Sequence, residues 1–217
     1  MLKMQFIKKI SVILLSTLVL SSVSSFTVSA HNLDYFGGVY TNSSTISNMK
    51  YKVESSAITT TLTSSVYYSA YAWDDISSTV GSIGIAISVP GMPSTGFFGV
   101  LGQAYYDGTL GETIPRDSNG NIVGANNNWT SVSIYMNTAS NAFSGAEDAT
   151  EAAKKTFMHE VGHTLKLCHP ANNSSASGHY YSGYPRAIMN QGFPNNTNVA
   201  SAITAHDQEN LRAKWGV

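Results

Sequence analysis

Two histidines four residues apart, His159 and His163, flank a glutamate, Glu160, in a stretch that reads as a helix. From Asp148 to Leu165 there is no proline and one glycine, Gly162. The stretch is rich in Ala, Lys and Glu and opens on acidic residues, as suits a helix N-terminus. Residues four apart share a helix face, so both imidazoles reach one metal ion with Glu160 beside them. Few local patterns bind the fold so tightly: whatever surrounds this helix must leave that face open to a cleft.

A catalytic zinc takes three protein ligands and keeps a fourth position open. Between Glu160 and Asp207 the chain has no Asp or Glu, so a downstream carboxylate ligand is excluded nearby. His169, Cys168 and His179 remain as candidates. On a continuous helix His169 would sit about 240° round from His163 and about 9 Å further along. If His169 is the third ligand, the helix has to end between them.

The spacing of His159, Glu160, His163 and His169 resembles the H-E-x-x-H-x-x-G-x-x-H pattern of the metzincin metallopeptidases. The family's glycine position is Lys166 here. That glycine turns the backbone at positive φ, where a lysine costs about 1 to 2 kcal/mol. Ala187-Ile188-Met189-Asn190 resembles the family's Met-turn, which assigns Met189 to the floor beneath the metal. Within the family the likeness is to the matrixin-like group. It implies an α+β fold: a mixed, mostly parallel twisted sheet with an antiparallel edge strand, an active-site helix and a C-terminal helix. It also implies that Leu101 to Tyr105 forms the edge strand, with Gly102, Gln103 and Ala104 binding substrate.

The resemblance further implies one catalytic zinc on His159, His163 and His169, and hydrolysis of peptide bonds in extended segments by zinc-activated water with Glu160 as general base. Gln103 stands where the group's second, structural zinc site has a histidine, so no second zinc is expected. A fold that holds zinc without cleaving, serving as an extracellular binding or adhesion module, is the alternative. Glu160 discriminates the two, because a pure binder has no use for it. Matrixin-like enzymes are held inactive by an upstream segment. No cysteine precedes the domain, which leaves Asp34 as the candidate latency group. Cys168 reads as a buried free thiol.

The rest of the chain frames this site. Lys3, Lys8 and Lys9 precede an apolar run from Ile10 to Leu20 and a Ser-rich stretch ending Val28-Ser29-Ala30, the order of a secretory signal peptide over residues 1–30. An apolar core of about eleven residues is short of the roughly twenty that span a bilayer. The expectation is a secreted, extracellular protein with no membrane span, acting as a monomer on a protein or peptide substrate. Residues 31–48 read as an extended leader or short pro-segment, and 49–217 as the catalytic domain. The 217 residues, 42% hydrophobic and 12% charged, suffice for one core. The formal net charge of −1 gives no basic excess, so nucleic acid is not an expected partner. The single cysteine allows no internal disulfide. Calcium has no motif to support it: Asp117, Asn119 and Asn121 alternate, but Ile122 sits where an EF-hand needs glycine.

Strands are expected at Met49–Val53, Val80–Val89, Phe97–Tyr106 and Trp129–Asn137, and a helix over Ile58–Trp73. Thr204, with Asp207 three residues on, forms a capping box that starts a last helix carrying Leu211 and Trp215. His179 reads as a solvated loop residue and His206 as part of a helix start.

Overall fold

The computed structural model describes residues 34–87, 96–169, 187–190 and 201–216. The signal-like segment and His179 lie outside the described residues, and so do the expectations placed on them. Five strands form one mixed sheet: β1 (Lys50–Val53), β2 (Gly84–Ile87), β3 (Phe98–Gln103), β4 (Gly111–Arg116) and β5 (Ser131–Asn137). Their order across the sheet is β2-β1-β3-β5-β4. The β1–β2, β1–β3 and β3–β5 pairs are parallel, and β4 runs antiparallel to β5 at the edge.

β4 was not expected from the sequence. Its Gly111 and Pro115 depress strand propensity, yet a proline is admissible at a sheet edge, where its missing N–H breaks no ladder. Past β4, Asp117 caps a tight turn, its Oδ1 accepting from the amides of Asn119 and Asn121 at 2.8 and 2.9 Å. The alternating Asp117, Asn119 and Asn121 thus make an Asx turn, as plain turn chemistry requires.

Three α-helices complete the α+β architecture: α1 (Ser64–Tyr67), α2 (Ala149–Thr164) and α3 (Ala205–Trp215). The helix expected over Ile58–Trp73 is corrected to a single α-turn, α1, running into a 3-10 segment over Tyr68–Trp73. Three tyrosines and a tryptophan crowd Ser64–Trp73, and the α-turn followed by the 3-10 winding lets Val66, Tyr67, Ala70 and Trp73 all enter the core. The Trp73 indole N–H then donates to the Met158 carbonyl at 2.9 Å, fastening this stretch to α2.

α2 begins where Asp148 caps it, its carboxylate accepting from the Glu151 amide at 3.0 Å. Alternate residues of β5, Val132, Ile134 and Met136, are buried, and α2 packs on β4 and β5. Phe157 seals the joint edge-on against Tyr67 and Tyr51, at centroid distances of 5.0 and 6.4 Å. α3 starts on the expected capping box, with Thr204 Oγ1 accepting from the Asp207 amide and the Asp207 carboxylate accepting from the Thr204 amide. Residues from Asp34 onward belong to the same compact unit as the helices and sheet. Among the described residues no helix is long and apolar enough to cross a membrane.

Candidate metal centre

Beyond Thr164 the chain leaves the helical path because Lys166 takes up φ +70°, the left-handed region. This turns Leu167, Cys168 and His169 back across the end of α2. Lys166 bears the strain that a glycine would avoid, and its side chain supplies a compensation. The ammonium lies 3.4 Å from the centroid of Trp129 and donates to the carbonyls of Asn127, Gly37 and Ala125 at 2.7, 3.3 and 3.3 Å. Burial and the nearby Lys214 charge pull its pKa down to about 7. The three carbonyls and the ring face act the other way, since both favour the ammonium form.

The turn delivers His169 to the other two histidines. Its Nε2 stands 3.0 Å from Nε2 of His159 and 3.0 Å from Nε2 of His163. The three ligand atoms form the metal-holding group found among the described residues. Each helical histidine is oriented from behind: Nδ1 of His159 donates to the Ile188 carbonyl at 2.8 Å, and Nδ1 of His163 to the Leu167 carbonyl at 2.9 Å. With the proton on Nδ1, the Nε2 lone pairs of both rings face the shared point.

Burial, followed by repulsion from the neighbouring rings, holds His159 well below its ordinary pKa and His163 at about 4. Burial lowers His169 as well. All three are therefore neutral near pH 7, the form that binds metal. With Nε2 of His169 also unprotonated, three lone pairs converge on one point, and a cation there would relieve their repulsion. Zinc–nitrogen bonds of about 2.0 to 2.1 Å place ligand nitrogens roughly 3.3 Å apart, so the donor set fits zinc.

Glu160 is buried beside the histidines. Its Oε2 accepts from the Thr113 hydroxyl at 2.7 Å, and that hydroxyl lies 3.1 Å from the Glu160 carbonyl. Burial raises its pKa to about 7, against the lowering effect of the Thr113 bond and with help from Glu112. Gly111 makes room for it: a Cβ there would fall 2.7 Å from Glu160 Cγ. Gly162, inside α2, serves Met189 in the same way, since a Cβ would fall 2.2 Å from the Met189 sulfur. Met189 is fully buried directly beneath the helix turn that carries both histidines.

The Met189 turn is held by α3. The carboxylate of Asp207 accepts from the amides of Ile188 and Met189 at 2.9 and 3.3 Å while it caps α3 through Thr204. One buried carboxylate thus links a helix start, the turn and, through the Ile188 carbonyl, the His159 ring. The capping signal was legible in the sequence, but its second task was not. Thr113, Gly111 and Asp207 are the functional residues that sequence reasoning missed.

Two expected placements are revised. Gly102, Gln103 and Ala104 do not lie on an edge strand: β3 is flanked by β1 and β5. β1 pairs with β3 from Phe98 to Val100, and past that point the Ser55–Ala57 turn covers Gly102, where a Cβ would fall 1.8 Å from the Ser56 carbonyl oxygen. The Gly102 amide donates to Ser56 Oγ at 3.2 Å, and the Gln103 carbonyl accepts from Thr138 at 3.0 Å. The edges are β2 and β4, and the Arg116 end of β4 is covered by the returning chain at Ile122 and Val123. Its Gly111 end lines the cleft together with Glu160 and the three histidines. Asp34, the expected latency group, is buried and lies outside the three-histidine group and the lining of the cleft. Its Oδ2 lies 3.4 Å from Nε2 of His206, and its amide donates to Asn210. Its carbonyl accepts from the Cys168 amide at 3.1 Å. Cys168 lines the cleft, but its thiol is outside the metal-holding group, with a pKa pushed up to about 11 by burial and by Asp34.

No protein-family model and no curated protein matches the chain. It is similar to a solved structure described as "GM1 bound form of the ECX AB5 holotoxin", with 17% identity, a TM-score of 0.49 and 85% of each chain covered. That description speaks of a toxin and of binding and says nothing of peptide hydrolysis. The expectation of a secreted endopeptidase working on extended segments draws no support from that description. A likeness of this size carries no argument about activity in either direction, and any functional reading has to rest on the atoms of the site.

Proposed function

We propose that the cleft is a mononuclear zinc centre of hydrolytic type, with His159, His163 and His169 as ligands and Glu160 as the proton-handling group. The observation that carries the reading is Glu160 itself. A site built only to hold metal gains nothing from a buried carboxylate that a strand threonine and a strand glycine both accommodate. Zinc, when bound, supplies Lewis acidity to a water and to a carbonyl, the chemistry that hydrolysis of a stable acyl bond needs.

The chain's own residues do the rest. The Nδ1 donors of His159 and His163 keep the imidazole lone pairs aimed at one point. Glu160, with a pKa raised to about 7 in the metal-free chain, can take a proton from water and return it to a leaving group. Thr113 holds its Oε2 in place, which leaves the other oxygen for that exchange. Met189 and Gly162 give the histidine-bearing turn a close-packed floor. Apolar walls from Phe36, Val123 and Trp129 line the same cleft.

The resemblance to metzincins supports an amide as the bond attacked, and zinc metallopeptidase is the enzyme class put forward on that basis. The test is elemental analysis combined with hydrolysis of a quenched peptide library, on the wild type and on Glu160→Gln. One zinc in both, with cleavage only in the wild type and lost on chelation, supports the proposal. One zinc in both and cleavage in neither replaces it with the zinc-holding binding module.

A further inference from the structure

Asn190 follows the Met189 turn and is 2% exposed. Among the described residues its side-chain Nδ2 has no hydrogen-bond partner, and it lines the same cleft as His159, Glu160 and His169. Its backbone is not loose: the Asn190 amide donates to the Ala187 carbonyl at 3.2 Å, and Asp207 clamps the two residues before it. A buried donor left without an acceptor is costly, and such groups are rare enough to require a reason. A core position with no polar duty would be filled by Leu, which has nearly the same shape and no such penalty.

The acceptor that suits this place is one that arrives with the ligand. Cleft groups near the metal point are already engaged: Nδ1 of His159 and of His163 on carbonyls, and one Glu160 oxygen on Thr113. None of them donates into the cleft. A substrate that presents a carbonyl oxygen beside the metal finds no donor among these groups. We infer that the Asn190 side-chain amide is the cleft's hydrogen-bond donor, taking a carbonyl oxygen of the bound acyl substrate. Being a donor without charge, it selects a neutral amide or ester carbonyl and adds nothing to metal affinity. The inference rests on the hydrolytic reading of the same site and extends it to a substrate-contacting residue.

Asn190→Leu removes the donor and keeps the volume; Asn190→Ser returns a donor. Three readouts are taken on zinc-loaded protein: zinc content with melting temperature, kcat/KM on a peptide cleaved by the wild type, and the dissociation constant of acetohydroxamate, a probe with its own carbonyl oxygen. The expectation for Asn190→Leu is one zinc, an equal or higher melting temperature, a kcat/KM lowered about tenfold to a thousandfold and weaker acetohydroxamate binding. Asn190→Ser should recover part of both losses. Unchanged kcat/KM and unchanged probe affinity overturn the inference. So does a fall in melting temperature together with zinc loss, which would make Asn190 a structural partner. If the wild type holds zinc but cuts no peptide, the hydrolytic reading fails, and the probe affinities of the wild type and Asn190→Leu still decide whether the donor works.

Discussion

At the scale of single residues the site depends on two glycines as much as on its histidines. Gly162 lies inside α2, where alanine would ordinarily add about 1 kcal/mol of helix stability. A Cβ there would stand 2.2 Å from the Met189 sulfur, so overpacking wins: Gly162→Ala should destabilise by about 1 to 3 kcal/mol, read by denaturant unfolding. A neutral or stabilising result would mean that Met189 is free to move. Gly111→Ala is the complementary case, with Glu160 Cγ at 2.7 Å and Oε1 at 2.8 Å from the new methyl. The histidines are untouched, so zinc content should stay at one per chain while hydrolysis falls at least about tenfold, as expected for a displaced base. Retained activity would show that Glu160 has another working position. Neither glycine announced its role in the sequence, because a close approach between residues some tens of positions apart leaves no local pattern.

Between elements, the metal point is assembled from the end of α2, the turn after it and the segment Ala187–Asn190. The ligand spacing was readable, since His159 and His163 follow from helical periodicity and His169 requires the helix to break. What made the break tolerable was not readable: Lys166 accepts φ +70° because its ammonium finds three carbonyls and the Trp129 face. Lys166→Gly would relieve the backbone by about 1 kcal/mol but forfeit charge-assisted bonds of about 1.5 to 3 kcal/mol. The variant should therefore be less stable, and a more stable one would contradict the compensation. Asp207 makes a matching case. It caps α3 and holds the amides of Ile188 and Met189, and Ile188 in turn orients His159. Asp207→Ala should weaken zinc binding about tenfold to a hundredfold, the usual cost of losing an outer-shell partner. Competition with a chromophoric chelator measures it, and unchanged affinity would break the proposed linkage.

Over the whole molecule, the α+β layering and most elements could be read in advance, because β1, β2, β3, β5, α2 and α3 carry clear periodic or capping patterns. The sheet order could not, and it decided the substrate-facing edge. β4 hides behind Gly111 and Pro115, so the edge was expected one strand pair too early, at Gly102 to Ala104. A metal bound only by the folded chain adds stability by mass action, about 4 kcal/mol at a thousandfold excess over Kd. Chelation should then lower the melting temperature by about 8 to 16 °C for a domain of this size. The most direct test of the central claim compares wild type and Glu160→Gln for zinc stoichiometry and peptide hydrolysis in one preparation. One zinc per chain in both proteins, with hydrolysis lost only in the variant, is the predicted result. A wild type that binds no zinc, or a Glu160→Gln variant that hydrolyses as fast as the wild type, would contradict the account.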